Sequence, residues 1–349
     1  MTERLPLTGR SVWSGAELLA ESDWIWRMEA PYLAELDAAI AANRHKAPEA
    51  ITRADFRLPL MAPLLADINE ELEEGRGIAR LRGLPVDRYE SEDIQRMFWG
   101  ISQHLGTPVY QNLRGELLSV IQDRSSDPNR HFADETGAKS ATAKALSQDA
   151  LNFHTDTSDV IGLLCVRNAA SGGLTKVAST TRAYNEMLAE RPDLLEVLFE
   201  DWWHLRPEQV PTTFALPLFG IEEGKLTSTF SPANLRKAQE FPGTAPLTEK
   251  QKEALDMLLR VKERHSILSP FEPGDAQFLN NHIVSHGRTA FVNEAGTGQS
   301  RFMMRVWLAT PDSRKLPEKF GVLWGDTAAG AVRGGSPQAE DGRRVANYA

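Results

Sequence analysis

The chain of 349 residues has a single cysteine, Cys165, so it cannot form an internal disulfide. Cys165 lies in the apolar run 160–166, where we expect it to fill space in a buried strand rather than to react. No apolar run approaches the length of a membrane span, and the N-terminus lacks the charged-then-apolar pattern of a signal peptide. These absences predict a soluble protein in a reducing, cytoplasmic setting.

The chain also lacks a basic tract, and its formal net charge is −9. Nothing in it would attract a phosphate backbone or an anionic membrane surface, so we expect neither nucleic acid nor membrane as a partner. Hydrophobic residues make up 41% of the chain, which is enough for a full core. The composition leaves a homo-oligomer open.

Local patterns predict mixed α and β structure. Apolar residues spaced at three and four predict a helix over 30–40, and a second helix is expected to begin with Ser91 as its N-cap. Further helices are expected within 181–188, 192–198 and 231–264, and strands over 77–85 and 117–121. After residue 117 short strand signals dominate, with helical stretches inserted between them.

The most informative motif is His154-Thr155-Asp156, followed about 130 residues later by His286. Side chains at i and i+2 of a strand leave on the same face, so His154 and Asp156 can bind one ion together. An isolated His-X-Asp is a weak signal, because most such pairs are surface residues. A second histidine from a distant strand would complete a facial triad of two His and one carboxylate, the arrangement of non-haem iron(II) oxygenases.

His282 is the main rival to His286 as the third ligand. The two are four residues apart, so on a helix both would face one ion, as in zinc proteases. However, no Glu follows His282, and the residues before it, 275–281, have the pattern of a strand. We assign His286 to the metal and expect His282 to support the site or the fold.

The chain resembles the taurine/2-oxoglutarate dioxygenase family of iron(II) enzymes over about 151–310. The resemblance rests on His154-Thr155-Asp156, Gly172-Gly173-Leu174-Thr175, the run 286–291 and the run 301–308, in the family's order. It implies that His154, Asp156 and His286 bind iron and are the catalytic ligands. It also implies that Thr175 and Arg301 hold the far carboxylate of 2-oxoglutarate, while Arg305 lies near its other carboxylate or the substrate. Leu174 departs from the family, which usually has Asp there.

The fold expected from these features is α+β, with a double-stranded β-helix (jelly roll) core, an N-terminal α/β elaboration and helical insertions. We predict one domain over 1–323, with the elaboration at 1–110 and the core at 111–323. The Gly- and Ala-rich tail 324–349 is expected to be disordered. The polar segment 124–150 leads into the metal-binding strand and is either a lid over the site or an ordinary loop.

The resemblance implies an iron(II)- and 2-oxoglutarate-dependent dioxygenase that consumes O2, releases succinate and CO2, and most simply hydroxylates an unactivated C–H of a small molecule. Desaturation, ring closure and epimerisation would use the same triad. A zinc metallohydrolase and a non-catalytic binding protein are the alternatives from other classes. Asn152, on the face of His154, and Arg305 are the predicted substrate contacts. Further polar or aromatic candidates, each expected to be structural, are Gln111, Asn112, Arg288, Trp202, Trp203 and His204.

Overall fold

A computed structural model of the chain describes residues 4–124, 146–206, 212–294, 299–337 and 344. Its helices are α1 (Gly15–Ala20), α2 (Ala30–Asn43), α3 (Ala62–Glu73), α4 (Ser91–Leu105), α5 (Thr180–Glu190), α6 (Pro192–Val197), α7 (Pro232–Ala238), α8 (Glu249–Arg264) and α9 (Gly321–Trp324), with 3-10 turns at Pro48–Ala50 and Glu318–Phe320. No helix within the described ranges is long and apolar enough to cross a membrane.

The predicted helices are confirmed, with one correction at the start of α4. Ser91 is the first helical residue rather than the N-cap, and the extended Glu90 precedes it without a side-chain cap. Helices α1, α5, α7 and α8 have side-chain caps, whereas α2, α3, α6 and α9 have none. Thr248 and Gln251 form a capping box at the start of α8, which satisfies backbone N–H groups that a helix leaves unpaired.

The strands are β1 (Ile25–Arg27), β2 (Ile78–Arg82), β3 (Thr107–Pro108), β4 (Leu118–Gln122), β5 (Leu151–His154), β6 (Val160–Arg167), β7 (Ser171–Gly172), β8 (Thr175–Ser179), β9 (Asp201–Arg206), β10 (Thr212–Pro217), β11 (Phe219–Glu222), β12 (Lys225–Ser228), β13 (Ile267–Ser269), β14 (Ala276–Asn280), β15 (Val284–Arg288), β16 (Phe291–Val292) and β17 (Phe302–Ala309). The strand signals at 77–85 and 117–121 correspond to β2 and β4.

A seven-stranded sheet and a four-stranded sheet form the centre of the protein. The larger has the order β1-β2-β14-β6-β17, with β3 and β4 both paired to β17. The smaller has the order β13-β8-β15-β5 and is antiparallel throughout. Strands β1, β2 and β3 come from the N-terminal 110 residues, so that part of the chain contributes directly to the larger sheet.

Alternating side chains place three apolar layers around the two sheets. Helices α2, α3 and α4 cover one face of the larger sheet, where Met304, Val306 and Leu308 of β17 are buried. Helices α5, α6 and α8 cover the outer face of the smaller sheet through Phe153 and Ala178. A third cluster joins residues of both sheets, among them Ile78, Leu279, Ile161, Val177 and Val284. The inner faces of the two sheets therefore face each other.

The prediction of a disordered tail is wrong for residues 324–337. Trp324 is 1% exposed and Arg333 is fully buried, and the chain after them hydrogen-bonds to the loops that follow β3 and β5, at Tyr110 and Thr157. One long-range ion pair, from Arg333 to Asp159, holds this segment although its composition offers little apolar core. Most of the segment 124–150 lies outside the described residues, so the lid stays a prediction.

Candidate metal centre and co-substrate site

Three potential ligands lie together at one end of the smaller sheet. Single ligand atoms of His154, Asp156 and His286 all lie within 4.8 Å of one another. Both imidazole Nε2 atoms face the carboxylate, at 3.8 Å from Asp156 Oδ1 for His154 and 3.7 Å from Oδ2 for His286. We call these three residues the metal centre. Two neutral imidazoles and one carboxylate on one side of an ion are the donor set that suits iron(II) and leaves positions open.

Strand pairing explains why two residues 132 positions apart meet. His286 of β15 lies opposite His154 of β5 in the antiparallel register, and their ring centroids are 4.3 Å apart. Directly opposed residues project on the same face of a sheet. Gly287 permits the close pairing of these strands, because a Cβ there would lie 2.6 Å from the Leu151 carbonyl oxygen.

The protonation states favour metal binding. His154 Nδ1 lies 2.9 Å from the Asn152 carbonyl oxygen, so Nδ1–H donates there and the Nε2 lone pair faces the site. Burial lowers the pKa of His286 to about 3, which keeps its imidazole neutral. Its buried Nδ1 has no hydrogen-bond partner.

Asp156 is held as a carboxylate by groups that arrive from the larger sheet. Trp307 Nε1 donates to Asp156 Oδ2 at 3.0 Å, and Arg305 Nη1 lies 3.8 Å from the same oxygen. Burial alone would raise the pKa of Asp156, but the neighbouring charges, with Arg305 the largest, and the Trp307 hydrogen bond together outweigh it, so the pKa lies below its ordinary value. Asn281 accepts the Asp156 backbone N–H at 3.1 Å. The ligand is therefore fixed through its backbone and its side chain.

A second polar region lies beside the metal centre, at the start of β8 and β17. Thr175 is 3% exposed and pairs with Arg288 across β8 and β15. The Arg288 and Arg301 guanidiniums lie over the same Phe291 ring, with their Cζ atoms 4.7 and 5.5 Å from its centroid. The structure thus brings Arg301 and Arg288 to one aromatic ring.

The Arg301 side chain has the properties of an anion-binding group. It is 6% exposed, and its Nη1 has no hydrogen-bond partner among the residues that the structure describes. Burial lowers the pKa of Arg301 to about 10, so it stays charged at neutral pH. A buried cation with an unsatisfied donor costs free energy, which a bound carboxylate would recover. Gly173 leaves room for this side chain, because a Cβ there would come within 3.3 Å of Arg301 Cδ.

A cavity of about 220 Å³ opens above the metal centre. His154, Asp156 and Arg305 line it together with Gln111, whose Oε1 accepts from Arg305 Nε at 2.6 Å. Asn152 does not line this cavity, and the contact identified there is its backbone carbonyl with His154. Other lining residues are Leu113, Leu151, Thr155, Thr157, Leu205, Phe214, Thr229, Phe230, Ser231, Asn234, Lys237, Leu323, Gly335, Ser336, Pro337 and Arg344.

The aromatic candidates divide between core and cavity. Trp202 is buried in the helical core and donates to the Val197 carbonyl, as the preferred interpretation expected. His204, in contrast, lines the cavity and stacks on Phe214, with ring centroids 5.3 Å apart. The Nε2 atom of His204 lies 3.0 Å from the carbonyl oxygen of Leu216.

Sequence reasoning missed two groups of residues. Trp307 contacts Asp156, and its position two residues after Arg305 on a strand was a usable signal, because both side chains then share a face. The contribution of Trp324 and residues 335–337 to the cavity had no such signal. Cys165 is buried, and burial raises the pKa of its thiol to about 12, which agrees with a space-filling role.

The order and geometry of these residues agree with the match of the chain to known proteins. A profile of the taurine catabolism dioxygenase TauD, TfdA family matches residues 43–307. The chain belongs to this family. It is an iron(II)- and 2-oxoglutarate-dependent dioxygenase, as the resemblance predicted.

Two curated relatives extend the match beyond the family profile. FR-33289 synthase of Streptomyces rubellomurinus is 30% identical over 340 residues, which cover 93% of this chain and 96% of the relative. Taurine hydroxylase-like protein SAT17 of Stachybotrys chartarum is 30% identical over 307 residues, covering 86% and 79%.

Solved structures show the same fold at lower identity. An asparagine oxygenase in complex with Fe(II), 2S,3S-3-hydroxyasparagine and succinate is 17% identical with a TM-score of 0.64, covering 82% of this chain and 93% of that one. The non-haem iron oxygenase OrfP with Fe, succinate and (3S)-hydroxy-L-Arg is 17% identical with a TM-score of 0.59, covering 81% and 94%.

Proposed function

We propose that this dioxygenase hydroxylates a C–H group of a small polar molecule, with His154, Asp156 and His286 as the iron ligands. The single observation that carries the assignment is the convergence of the three ligand atoms beneath a cavity. The iron and 2-oxoglutarate supply the oxidising chemistry when bound, with O2 as oxidant and succinate and CO2 as products.

The protein's own residues bind, orient and exclude water. His154 is oriented by the Asn152 carbonyl, and Asp156 by Trp307 and Asn281. We assign the far carboxylate of 2-oxoglutarate to Arg301, whose unpartnered Nη1 supports the assignment, and to Thr175. Arg305 is held by Gln111 at the edge of the cavity, within reach of the near carboxylate or the substrate.

An amino acid or a molecule derived from one is the substrate class that we favour. Two similar structures contain hydroxylated amino acids, 3-hydroxyasparagine and 3-hydroxyarginine. The cavity supports this assignment because charged, hydroxyl and aromatic side chains line it together. Its position between two sheets supports a jelly-roll core. The homo-oligomer and the cytoplasmic location stay predictions.

The test is a panel of L-amino acids, including L-asparagine and L-arginine, incubated with iron(II), 2-oxoglutarate and O2. We expect substrate-stimulated succinate release with a product heavier by one oxygen. A control variant is Arg96→Gln, which breaks a buried arginine network in α4. Arg96 does not line the cavity, so this variant should retain turnover.

The same assay separates this function from a zinc metallohydrolase. Zinc-loaded protein should release no succinate, whereas iron-loaded protein should. If wild-type protein binds zinc and never consumes 2-oxoglutarate with iron present, the proposed function is wrong.

A further inference from the structure

The C-terminal segment is fixed to the protein by a buried ionic cluster next to the metal centre. Asp159 Oδ1 accepts from His282 Nε2 at 2.8 Å and from Arg333 Nε at 2.9 Å, and Asp159 Oδ2 accepts the Thr310 N–H at 3.1 Å. His282 and Arg333 are both fully buried. We call Asp159, His282 and Arg333 the buried clamp.

Arg333 also organises the chain around itself. It donates to the Ala328 carbonyl at 3.0 Å and to the Arg314 carbonyl at 2.6 Å. Trp324 stacks on the His282 ring, with centroids 4.7 Å apart. The clamp therefore connects the segment before β15 to the C-terminal part of the chain at Arg314, Trp324 and Ala328.

The residues after Arg333 contact the loop that carries the proposed metal ligand Asp156. Gly335 N donates to the Thr157 carbonyl, next to Asp156, at 2.6 Å, and Ser336 N donates to the Tyr110 carbonyl at 2.7 Å. Gly334 has φ +76°, and a Cβ there would lie 2.6 Å from the Thr157 oxygen. The close approach requires glycine, so this path is built into the chain.

Five cavity-lining residues of this segment are uncharged, whereas Arg344, which also lines the cavity, donates through Nη1 to the carbonyls of Leu323, Gly334 and Gly335. Leu323, Trp324, Gly335, Ser336 and Pro337 line the same cavity as His154 and Asp156. We call these five residues the C-terminal wall. Because its charged neighbour Arg333 is turned away into the clamp, the wall offers apolar surface, one hydroxyl and peptide groups to a ligand.

We infer that the C-terminal wall selects the substrate by contacting its uncharged part, and that Arg333 helps to position this wall from the clamp, together with Arg344, which binds the wall's own carbonyls. The inference rests on the proposed function, since the wall closes the cavity above the proposed iron ligands. Thr157 lies between the wall and Asp156. The wall therefore contacts the bound substrate without supplying a ligand to iron.

Two variants test the inference by different routes. Arg333→Gln should release the wall, and Leu323→Ala should enlarge the cavity without touching the clamp. For the substrate identified with the amino-acid panel, we expect at least a tenfold rise in KM for Arg333→Gln. Leu323→Ala should change the KM ratio between two panel members at least threefold. The Kd values for iron(II) and 2-oxoglutarate should stay within twofold of wild type.

Matched controls separate recognition from general destabilisation. Val322→Ala changes a 44% exposed neighbour that does not line the cavity, and Arg96→Gln breaks a buried arginine network elsewhere. Neither should change KM. Hydrogen exchange at the amides of residues 334–336 should rise in Arg333→Gln and not in Arg96→Gln, which shows whether the clamp holds the wall.

The inference is overturned if Leu323→Ala leaves every KM ratio unchanged, or if Arg96→Gln raises KM as much as Arg333→Gln. It is also overturned if exchange at residues 334–336 is the same in Arg333→Gln and wild type. If Arg333→Gln does not fold, Leu323→Ala still decides. Absence of 2-oxoglutarate turnover in the wild type would instead count against the proposed function, and the exchange comparison would still test the clamp.

Discussion

The metal centre and the buried clamp use the same residue types from the same two segments, yet only one of them is open. Asp156 and Asp159 are three residues apart, and His286 and His282 are four residues apart. In the clamp, Thr227 Oγ1 lies 2.6 Å from His282 Nδ1, and Asp159 takes both His282 and Arg333. Every polar atom of the His282 ring is therefore satisfied by the protein.

In the metal centre the corresponding atoms are left for a ligand. The Nε2 atoms of His154 and His286 remain 3.7 to 3.8 Å from the carboxylate, too far for a hydrogen bond. Arg305 approaches Asp156 only to 3.8 Å, whereas Arg333 reaches Asp159 at 2.9 Å. Saturation by nearby donors, rather than residue type, separates a structural His-Asp pair from a metal-binding one.

The largest expected difference between the two regions is in iron binding. His286→Ala should lose iron and turnover, because removing one of three ligands weakens a chelate far more than removing a supporting residue. His282→Ala should keep at least part of both. Iron stoichiometry measured on each purified variant checks this. Retention of iron by His286→Ala together with its loss in His282→Ala would reverse the assignment.

Breaking the clamp should instead cost stability. Asp159→Asn leaves the buried Arg333 guanidinium without a counter-charge, a change worth about 3–5 kcal/mol. Urea unfolding of the metal-free variant measures the loss, and iron stoichiometry at saturating metal should equal that of wild type. An Asp159→Asn protein of normal stability that cannot bind iron would show that the two regions are not separate.

The co-substrate site is intermediate between the metal centre and the buried clamp, because the buried charge of Arg301 is available to a ligand. Arg301→Ala should weaken 2-oxoglutarate binding by about 2–5 kcal/mol, because a buried carboxylate loses its charged partner. Thr175→Val should weaken it by about 0.5–1.5 kcal/mol, the range for a neutral hydrogen bond. Titration of the iron-loaded protein gives both values. Unchanged affinity in Arg301→Ala would move the anchor to Arg288 or Arg305.

The last difference appears only in acid and concerns stability. Burial lowers the pKa of His282 to about 4, against an ordinary value of 6.5. The unfolded chain therefore takes up this proton first, so the stability is full above pH 6.5 and declines as pH falls toward 4. Each such histidine costs about 1.4 kcal/mol per pH unit in that window.

His282→Gln, which keeps a side-chain donor, should reduce the proton uptake on unfolding between pH 6.5 and 4 by about one. Unfolding free energies of the metal-free protein across this range give the slope. Equal slopes in wild type and His282→Gln would show that His282 is protonated in the folded state.

Much of the metal centre was predictable because its chemistry is local. His154 and Asp156 are two residues apart, so their ligand atoms lie close together although β5 ends at His154 and Asp156 follows the strand. His286 and Arg301 followed from the family's order of motifs. Helices α2, α5 and α8 followed from apolar spacing, although Ser91 shows that the capping residue is less certain than the helix itself.

The amino-acid sequence by itself indicated His154 and Asp156 as a ligand pair through their short spacing, and the family's order of motifs indicated His286 and the class of chemistry. Only the tertiary structure decided which histidine is open and what closes the cavity. Arg333 and Asp159 are 174 residues apart. The C-terminal segment that carries Arg333 has too little apolar content to indicate burial. The Arg333–Asp159 pair and backbone hydrogen bonds to Thr157 and Tyr110 order that segment, and these partners are known only once the two sheets have packed.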